Sequence, residues 1–193
     1  MLNSRDINLL RPDVAANCRV FLAECQRENL PVLITGTVRD AAYQTQCYNN
    51  GTAKTKVPSF HSTEAGLAFD ICKNVKGGEY SDAAFFQKCA DIAKRIGFEW
   101  GGDWKSFPDR PHFQWSGAQN QYTSTDILAG RYPPTMPPYA GGAAVQKAPL
   151  TFDEIRAQVQ KKAALSDETI AFLSAYKFGE DLFRKLNNAI TGE

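Results

Sequence analysis

A proline-rich stretch constrains the fold of this 193-residue chain most strongly, because it interrupts regular structure. Four prolines fall within residues 133–138, a Gly pair follows, and Pro149 closes the stretch. Proline has no backbone N–H and a fixed φ, so such a composition favours a semi-extended linker. We therefore predict a folded domain over residues 1–133, a Pro/Gly-rich linker over 134–150, and a helical segment over 151–193.

Composition excludes several classes of protein. The chain is 43% hydrophobic and 11% aromatic, enough to bury a substantial core. Its formal net charge of +1 argues against binding nucleic acid through bulk electrostatics, so no nucleic-acid partner is expected. No apolar run reaches the roughly 18 residues of a membrane-spanning helix, and no transmembrane segment is expected. The first residues carry Arg5 and Asp6 and lack the apolar core of a secretory signal.

Hydrophobic periodicity alternates between helical and strand-like stretches before residue 133. This pattern is consistent with an α+β fold. Apolar residues at helical spacing, helix caps and short β-branched runs predict helices over 13–28, 40–48 and 82–96, and strands over 31–37, 67–72 and 112–115. After the prolines, residues 151–190 are also predicted to be helical, with one apolar stripe formed by Phe172, Tyr176, Phe183, Leu186 and Ile190.

The two histidines carry the clearest chemical signal. His61 opens the segment HSTEAGLAFD, which ends at Asp70, and Asp109 precedes His112 by three residues in DRPHFQW. Two imidazoles and one carboxylate can hold a catalytic zinc ion and leave a position for water, so we predict His61, Asp70 and His112 as metal ligands. Hydrolysis at such a site also needs a group that accepts the proton of the attacking water, and Asp109 is the candidate. Arg39 is the candidate cation to stabilise the oxyanion that develops on the attacked carbonyl. Singly, each residue also fits an ordinary role in a core, a cap or a surface ion pair.

Four stretches of the chain carry a family resemblance: TGTVRDAAYQTQCYNNG, SFHSTEAGLAFD, FEWGGDW and DRPHFQW. Together they resemble the zinc-dependent M15 peptidases that cleave bacterial peptidoglycan peptides. The resemblance covers residues 5–133 and is closest to the L-alanyl-D-glutamate endopeptidases of phage endolysins and related bacterial cell-wall hydrolases.

This resemblance implies a small, mostly antiparallel sheet with flanking helices, as in Hedgehog and D-Ala-D-Ala peptidases, here with a C-terminal helical appendage. It implies a zinc (Zn2+) cofactor on the His, Asp, His set and acid/base action by Asp109. It also implies that Arg39 stabilises the tetrahedral intermediate, and that Ser59 and Gln44 help to bind substrate. The expected substrate is the peptidoglycan stem peptide, cut between L-Ala and D-Glu.

One departure from the family pattern lies in the loop after the first histidine. Gly66 follows His61 by five residues, where the family has a glycine after three. Because loops tolerate insertion, we expect His61 and Asp70 still to converge. Asp103, in the glycine turn, is interpreted as a structural or supporting carboxylate rather than a ligand.

Three other functions stay open at this point. They are a D-Ala-D-Ala carboxypeptidase on the same scaffold, a non-catalytic cell-wall-binding module, and a structural component of a phage particle. Arg39 and Asp109 argue against a pure binding module, which would need neither. The expected location is synthesis in the cytoplasm without a signal peptide, followed by action on the wall after holin-type release or lysis.

The C-terminal segment allows several roles. Residues 151–193 hold six Lys+Arg and seven Asp+Glu, a net charge of −1, so no basic stripe attracts anionic wall polymers. Wall targeting, self-association and a lid on the catalytic domain are all compatible with this composition. The stripe is too apolar to remain exposed to water, so we predict that these helices pack against another surface.

Overall fold

The computed structural model describes two compact units. The described residues are 1–53, 55–139, 152–175 and 179–191. The first unit extends over Met1–Val145 and the second over Gln146–Glu193.

The described part of the first unit contains helices and strands in mixed order. They are α1 (Pro12–Arg27), β1 (Val32–Gly36), α2 (Ala41–Asn49), β2 (Ala68–Lys73), α3 (Ala83–Ile96), β3 (Glu99–Trp100), β4 (His112–Gln114) and α4 (Ser124–Leu128). All six elements predicted from periodicity form, and their ends shift by one residue at most. The short strand β3 was not predicted, because two residues carry no periodicity.

The strands form one small sheet in the order β1-β2-β4-β3, with every neighbouring pair antiparallel. This arrangement confirms the predicted α+β fold with a small antiparallel sheet. In the β2–β4 pair, Asp70 lies directly opposite His112, and Phe69 lies opposite Phe113. Successive side chains of a strand point to opposite faces, so one face carries the polar pair and the other the aromatic pair.

The aromatic face of the sheet packs against α1. The ring of Phe21 lies 5.5 Å from the ring of Phe69 and 5.5 Å from that of Phe113, and all three side chains are fully buried. The third helix, α3, adds Phe86, Cys89 and Ala93 to the same core. Burying this face fixes the register of β2 and β4, because a slip of one residue would turn Phe69 and Phe113 outward.

The start of the predicted linker lies against the first unit. Met136 is 1% exposed, and its backbone N–H donates to the Asp13 carboxylate on α1. The side chain of Asn17 donates to the carbonyl of Pro137, and Arg11 donates to the carbonyl of Pro133. Prolines cannot donate, but their carbonyls accept, so polar residues of α1 hold this extended segment in place. Residues 140–150 of the predicted linker lie outside the described residues.

The described residues of the second unit form α5 (Phe152–Ala163), α6 (Asp167–Ser174) and α7 (Gly179–Thr191). Ile155, Val159, Ile170 and Phe183 are buried together at their centre. Phe172 is 77% exposed, so the predicted stripe is wrong at this residue. Tyr176 and the side chain of Ile190, which the prediction also placed on the stripe, lie outside what the structure describes. Phe172 follows the buried Ile170 by two positions, which turns it by about 200° around α6 to the opposite face.

None of the described helices is both long enough and apolar enough to span a bilayer.

The packing of residue 136 predicts a change in stability. Replacing the buried side chain in Met136→Ala removes apolar contacts and leaves a cavity, which should lower the free energy of unfolding by ~2–5 kcal/mol. All three tryptophans lie in the first unit, so denaturant unfolding followed by tryptophan fluorescence reports on this unit. The control is Leu128→Ala, an exposed position where the loss should stay below about 0.5 kcal/mol. Equal losses in the two variants would show that residues 133–139 do not contribute to this core.

Candidate metal centre

His61 ends a short 3-10 turn, Ser59–His61, and is 3% exposed. Its Nδ1 lies 2.6 Å from the backbone carbonyl oxygen of Thr37. A carbonyl only accepts hydrogen bonds, so the neutral ring carries its proton on Nδ1 and keeps the lone pair of Nε2 free. The backbone of Arg39 holds the turn in place by donating to the carbonyl of His61 over 2.9 Å.

His112 begins β4 and presents its other ring nitrogen. Its Nε2 lies 2.8 Å from Oε1 of Gln114, and the amide nitrogen of Gln114 donates to Oε2 of Glu99 over 2.7 Å. A carboxylate only accepts, so the Gln114 amide turns its nitrogen to Glu99 and its oxygen to His112. In the neutral ring of His112 the proton therefore lies on Nε2 and the lone pair on Nδ1.

These two lone pairs and one carboxylate oxygen converge on a single point. Nε2 of His61 lies 3.1 Å from Nδ1 of His112, and Oδ1 of Asp70 lies 3.3 Å and 3.2 Å from these two nitrogens. Three electron-rich atoms this close repel one another unless a cation or a proton lies between them. Nitrogen and oxygen ligands about 2.0–2.1 Å from a tetrahedral ion lie roughly 3.3–3.4 Å apart, so the observed spacing fits a small divalent cation. His61, Asp70 and His112 could thus hold a metal ion.

Ionisation of this group agrees with its geometry. Burial alone would raise the pKa of Asp70, but the two neighbouring imidazoles hold that pKa well below its usual range. Burial lowers the pKa of His61, and Asp70 only partly offsets this. Burial also disfavours the charged form of His112, yet the hydrogen bond and charge of Asp70 outweigh it and raise the pKa of His112. Asp70 therefore stays ionised, the form in which a carboxylate binds a cation.

The longer loop after His61 does not separate the histidine from Asp70. The backbone closes a turn in which the N–H groups of Ala65 and Gly66 both donate to the carbonyl of Ser62. Gly66 has φ +58, and a Cβ there would lie 2.7 Å from the backbone nitrogen of Arg11. Only glycine fits this conformation and this close approach. The turn therefore accommodates the two extra residues before β2 begins.

Asp109 lies in the turn that leads into β4. Its backbone N–H donates to the carbonyl of Gly101 over 2.8 Å, and its carbonyl accepts from the N–H of His112 over 3.2 Å. Burial raises the pKa of Asp109, and the negative charge of Asp70 adds to this rise, while the positive charge of His112 opposes it. A raised pKa makes a carboxylate a better proton acceptor, which suits Asp109 to proton transfer.

The remaining predicted residues also carry polar atoms at the site. Nη1 of Arg39 lies 3.8 Å from Oδ2 of Asp70, and its buried Nε has no hydrogen-bond partner among the described residues. Gln44 donates to the carbonyl of Thr55, while its buried Oε1 has no partner within the described part of the chain. Ser59 donates to Oγ of Ser124 over 3.3 Å.

One cleft of roughly 420 Å³ contains the whole predicted set. Its lining includes Arg39, Gln44, Ser59, His61, Asp70, Asp109 and His112. The structure thus brings together residues that are up to 73 positions apart in the sequence.

Sequence reasoning missed the residues behind the metal centre. The carbonyl of Thr37 and the side chains of Glu99 and Gln114 orient the two imidazoles. Glu99 and Gln114 stand inside the motifs FEWGGDW and DRPHFQW, which marked the segments without showing that they touch. Asp103 instead pairs with Lys94 on α3 over 2.6 Å, and its side chain is 54% exposed. It is a structural carboxylate, and the supporting one is Glu99.

Comparison with known proteins identifies the family of the chain. A family model of M15 peptidases, described as D-alanyl-D-alanine carboxypeptidase, matches residues 52–115. The peptidoglycan L-alanyl-D-glutamate endopeptidase CwlK of Bacillus subtilis is 32% identical over 123 residues, which cover 54% of this chain and 72% of CwlK. The chain therefore belongs to the M15 family of peptidases, which are metallopeptidases.

Two further proteins are similar to the chain. The L-alanyl-D-glutamate peptidase of Listeria phage A118 is 35% identical over 114 residues, 58% of this chain, and the chain spans only 40% of that relative. The solved structure of the L-Ala D-Glu endopeptidase ChiX from Serratia marcescens has a TM-score of 0.48 and 25% identity, over 59% of this chain and 88% of that one.

The turn behind Asp109 predicts the effect of an added methyl group. A Cβ at residue 101 would lie 2.5 Å from the carbonyl oxygen of Asp109 and 3.1 Å from Cβ of His112, so Gly101→Ala forces this turn to move. We expect the free energy of unfolding to fall by ~1–3 kcal/mol, measured by denaturant titration. In Gly78→Ala the nearest atom, Cγ1 of Val75, lies 3.7 Å away, and the stability should hardly change. Indistinguishable stabilities would mean that the turn accommodates a side chain.

Proposed function

We propose that this protein is a zinc-dependent peptidoglycan endopeptidase that hydrolyses the L-Ala–D-Glu bond of stem peptides. The observation that carries the proposal is the convergence of His61, Asp70 and His112 within about 3.3 Å, in a cleft that Asp109 also lines. Two relatives named for cleavage of L-alanyl-D-glutamate support this choice of bond.

Zinc suits the proposed ligand set. Two neutral imidazole nitrogens and one carboxylate oxygen are typical of a catalytic zinc site, and three protein ligands leave a position open. When bound, the ion supplies Lewis acidity that activates water and polarises the scissile carbonyl. The role of the protein is to hold His61, Asp70 and His112 in place, with their lone pairs already directed at one point.

Asp109 and Arg39 carry the remaining chemistry in this proposal. Asp109 accepts a proton from the attacking water and then gives it to the leaving amine, as its raised pKa allows. Arg39 lies beside Asp70, and its guanidinium would meet the negative charge that develops on the carbonyl oxygen. The buried Nε of Arg39 has no hydrogen-bond partner among the described residues, which supports a role in contacting a ligand.

Substrate binding is assigned to Gln44 and Ser59. Both side chains line the cleft, and the buried Oε1 of Gln44 has no partner in the described structure. Burying an unpaired acceptor is costly, and an N–H group of an extended peptide would satisfy it. The hydroxyl of Ser59 donates a hydrogen bond to Ser124, which also lines the cleft.

A D-Ala-D-Ala carboxypeptidase is the second candidate, because the matching family model carries that description. A non-catalytic wall-binding module has less support, since Arg39 and Asp109 line the cleft together with the ligands. The phage relative supports action on the cell wall, and holin-type release or lysis stays a prediction. Wall binding or self-association through residues 151–193 stays a prediction.

Substitution of the proposed acid/base separates metal binding from catalysis. Asp109→Asn should keep one zinc ion per chain, measured by elemental analysis, and lose about 10²–10⁴-fold in hydrolysis rate. His112→Ala should lose the metal as well. The matched control is Asp103→Asn, which removes an exposed carboxylate from a nearby turn and should keep both zinc and activity. Full activity in Asp109→Asn would refute the role of Asp109.

Product analysis tests the proposed bond. A purified muropeptide that ends in D-Ala-D-Ala is digested, and the products are identified by mass spectrometry. A fragment with a new N-terminal D-Glu is the expected result, whereas loss of the terminal D-Ala alone would assign the carboxypeptidase activity. A chelator should abolish hydrolysis, and added zinc should restore it. Wall binding without any product would favour the binding module.

A further inference from the structure

The carboxylate of Glu99 accepts hydrogen bonds from three neighbouring side chains. None of these hydrogen bonds has a part in the proposed mechanism. Its Oε2 accepts from Nε2 of Gln114 over 2.7 Å and from Oγ of Ser116 over 2.6 Å. Its Oε1 accepts from Nε1 of Trp104 over 2.7 Å. Gln114 and Ser116 are 5% and 1% exposed, so water competes little for these hydrogen bonds.

Two different devices orient the two imidazoles of the metal centre. The backbone carbonyl of Thr37 accepts from His61, and a carbonyl cannot change into a donor. The partner of His112 is the side-chain amide of Gln114, whose oxygen and nitrogen exchange places when the amide rotates by 180°. The tautomer of His112 therefore depends on whatever fixes that amide.

Asp70 works against the required tautomer when the metal is absent. Its Oδ1 lies 3.2 Å from Nδ1 of His112, so it favours a proton on that nitrogen. A proton on Nδ1 would occupy the lone pair that points at the metal position. An amide of Gln114 that rotated and donated to Nε2 would stabilise this unwanted form.

We propose that Glu99 is a positioning residue that selects the metal-binding tautomer of His112 through Gln114. Because its carboxylate only accepts, it holds the Gln114 nitrogen and turns the Gln114 oxygen toward Nε2 of His112. The same carboxylate holds the indole of Trp104, whose ring lies 5.1 Å from the imidazole of His112. This inference rests on the proposed metal site, but the tautomer itself is a property of the metal-free protein.

Nitrogen NMR of the metal-free protein measures that tautomer directly. The chain has only two histidines, so a ¹⁵N-histidine sample gives one set of ring signals for each. At a pH where both rings are neutral, His112 should carry its proton on Nε2 in the unsubstituted protein. In Glu99→Gln the introduced amide can donate to Gln114 and rotate it, so a population with the proton on Nδ1 should appear. The signals of His61, which Thr37 orients, serve as the internal control.

Zinc affinity provides a second measurement. Mutation of the residues that support a metal-binding histidine typically weakens metal affinity about 10–100-fold. Because Glu99→Gln lets Gln114 turn its acceptor oxygen away from His112, this variant should show a loss of this size in competition with a chelator. Asp103→Asn removes a neighbouring carboxylate that forms an ion pair with Lys94, and should leave both the tautomer and the affinity unchanged.

A double substitution separates positioning from a general structural role. Glu99→Gln combined with Gln114→Glu reverses the order of amide and carboxylate. The introduced amide can then accept from Trp104 and donate to the introduced carboxylate, which accepts from Nε2 of His112. We expect this variant to restore the Nε2 tautomer and most of the zinc affinity.

Two results would overturn this role of Glu99. An unchanged His112 tautomer in Glu99→Gln overturns it, whatever happens to the affinity. A weakened affinity that the double substitution does not restore also overturns it, because Glu99 would then act only in packing. Absence of zinc binding in the unsubstituted protein would refute the proposed metal site, while the tautomer measurement would still test Glu99 independently.

Discussion

The pairing of β2 with β4 is the interaction on which the rest of the site depends. It sets Asp70 opposite His112 on one face of the sheet and Phe69 opposite Phe113 on the other. The aromatic face is buried against Phe21, so hydrophobic packing fixes the register of the polar face. The core thereby holds a carboxylate and an imidazole at 3.2 Å, a spacing that their own charges would not maintain against competing water.

A preformed cation site is costly to the scaffold in the absence of its ion. Three electron-rich atoms lie within 3.3 Å of one another, and the histidines that carry two of them are almost fully buried. The protein compensates through the other nitrogen of each ring, which donates a hydrogen bond to an oxygen. Nδ1 of His61 donates to the carbonyl of Thr37, and Nε2 of His112 donates to Oε1 of Gln114. These hydrogen bonds fix ring orientation before any ion arrives, so less ordering is left for the binding step.

The sequence predicted local structure better than long-range contacts. Helices and strands followed from periodicity because their apolar faces match the core that forms. The ligands and Asp109 followed from residue chemistry and from the family resemblance. Strand register was not accessible, so the contact between Glu99 and Gln114, 15 residues apart on β3 and β4, could not be predicted. Prolines indicated a linker, yet the carbonyls of Pro133 and Pro137 accept hydrogen bonds from Arg11, just before α1, and from Asn17 on α1. No local pattern encodes these contacts.

The range that the family model matches contains only part of the polar lining of the cleft. The family model spans residues 52–115, a range that contains all three proposed ligands and Asp109 but begins after Arg39 and Gln44. The model's description and the relatives' names refer to different peptide bonds, so a match to residues 52–115 does not by itself assign the bond. Residues that line the cleft outside this range include Arg39 and Gln44. Segments after β1 and along α2 supply that part of the cleft, and their buried polar atoms without partners among the described residues are suited to recognise a peptide backbone.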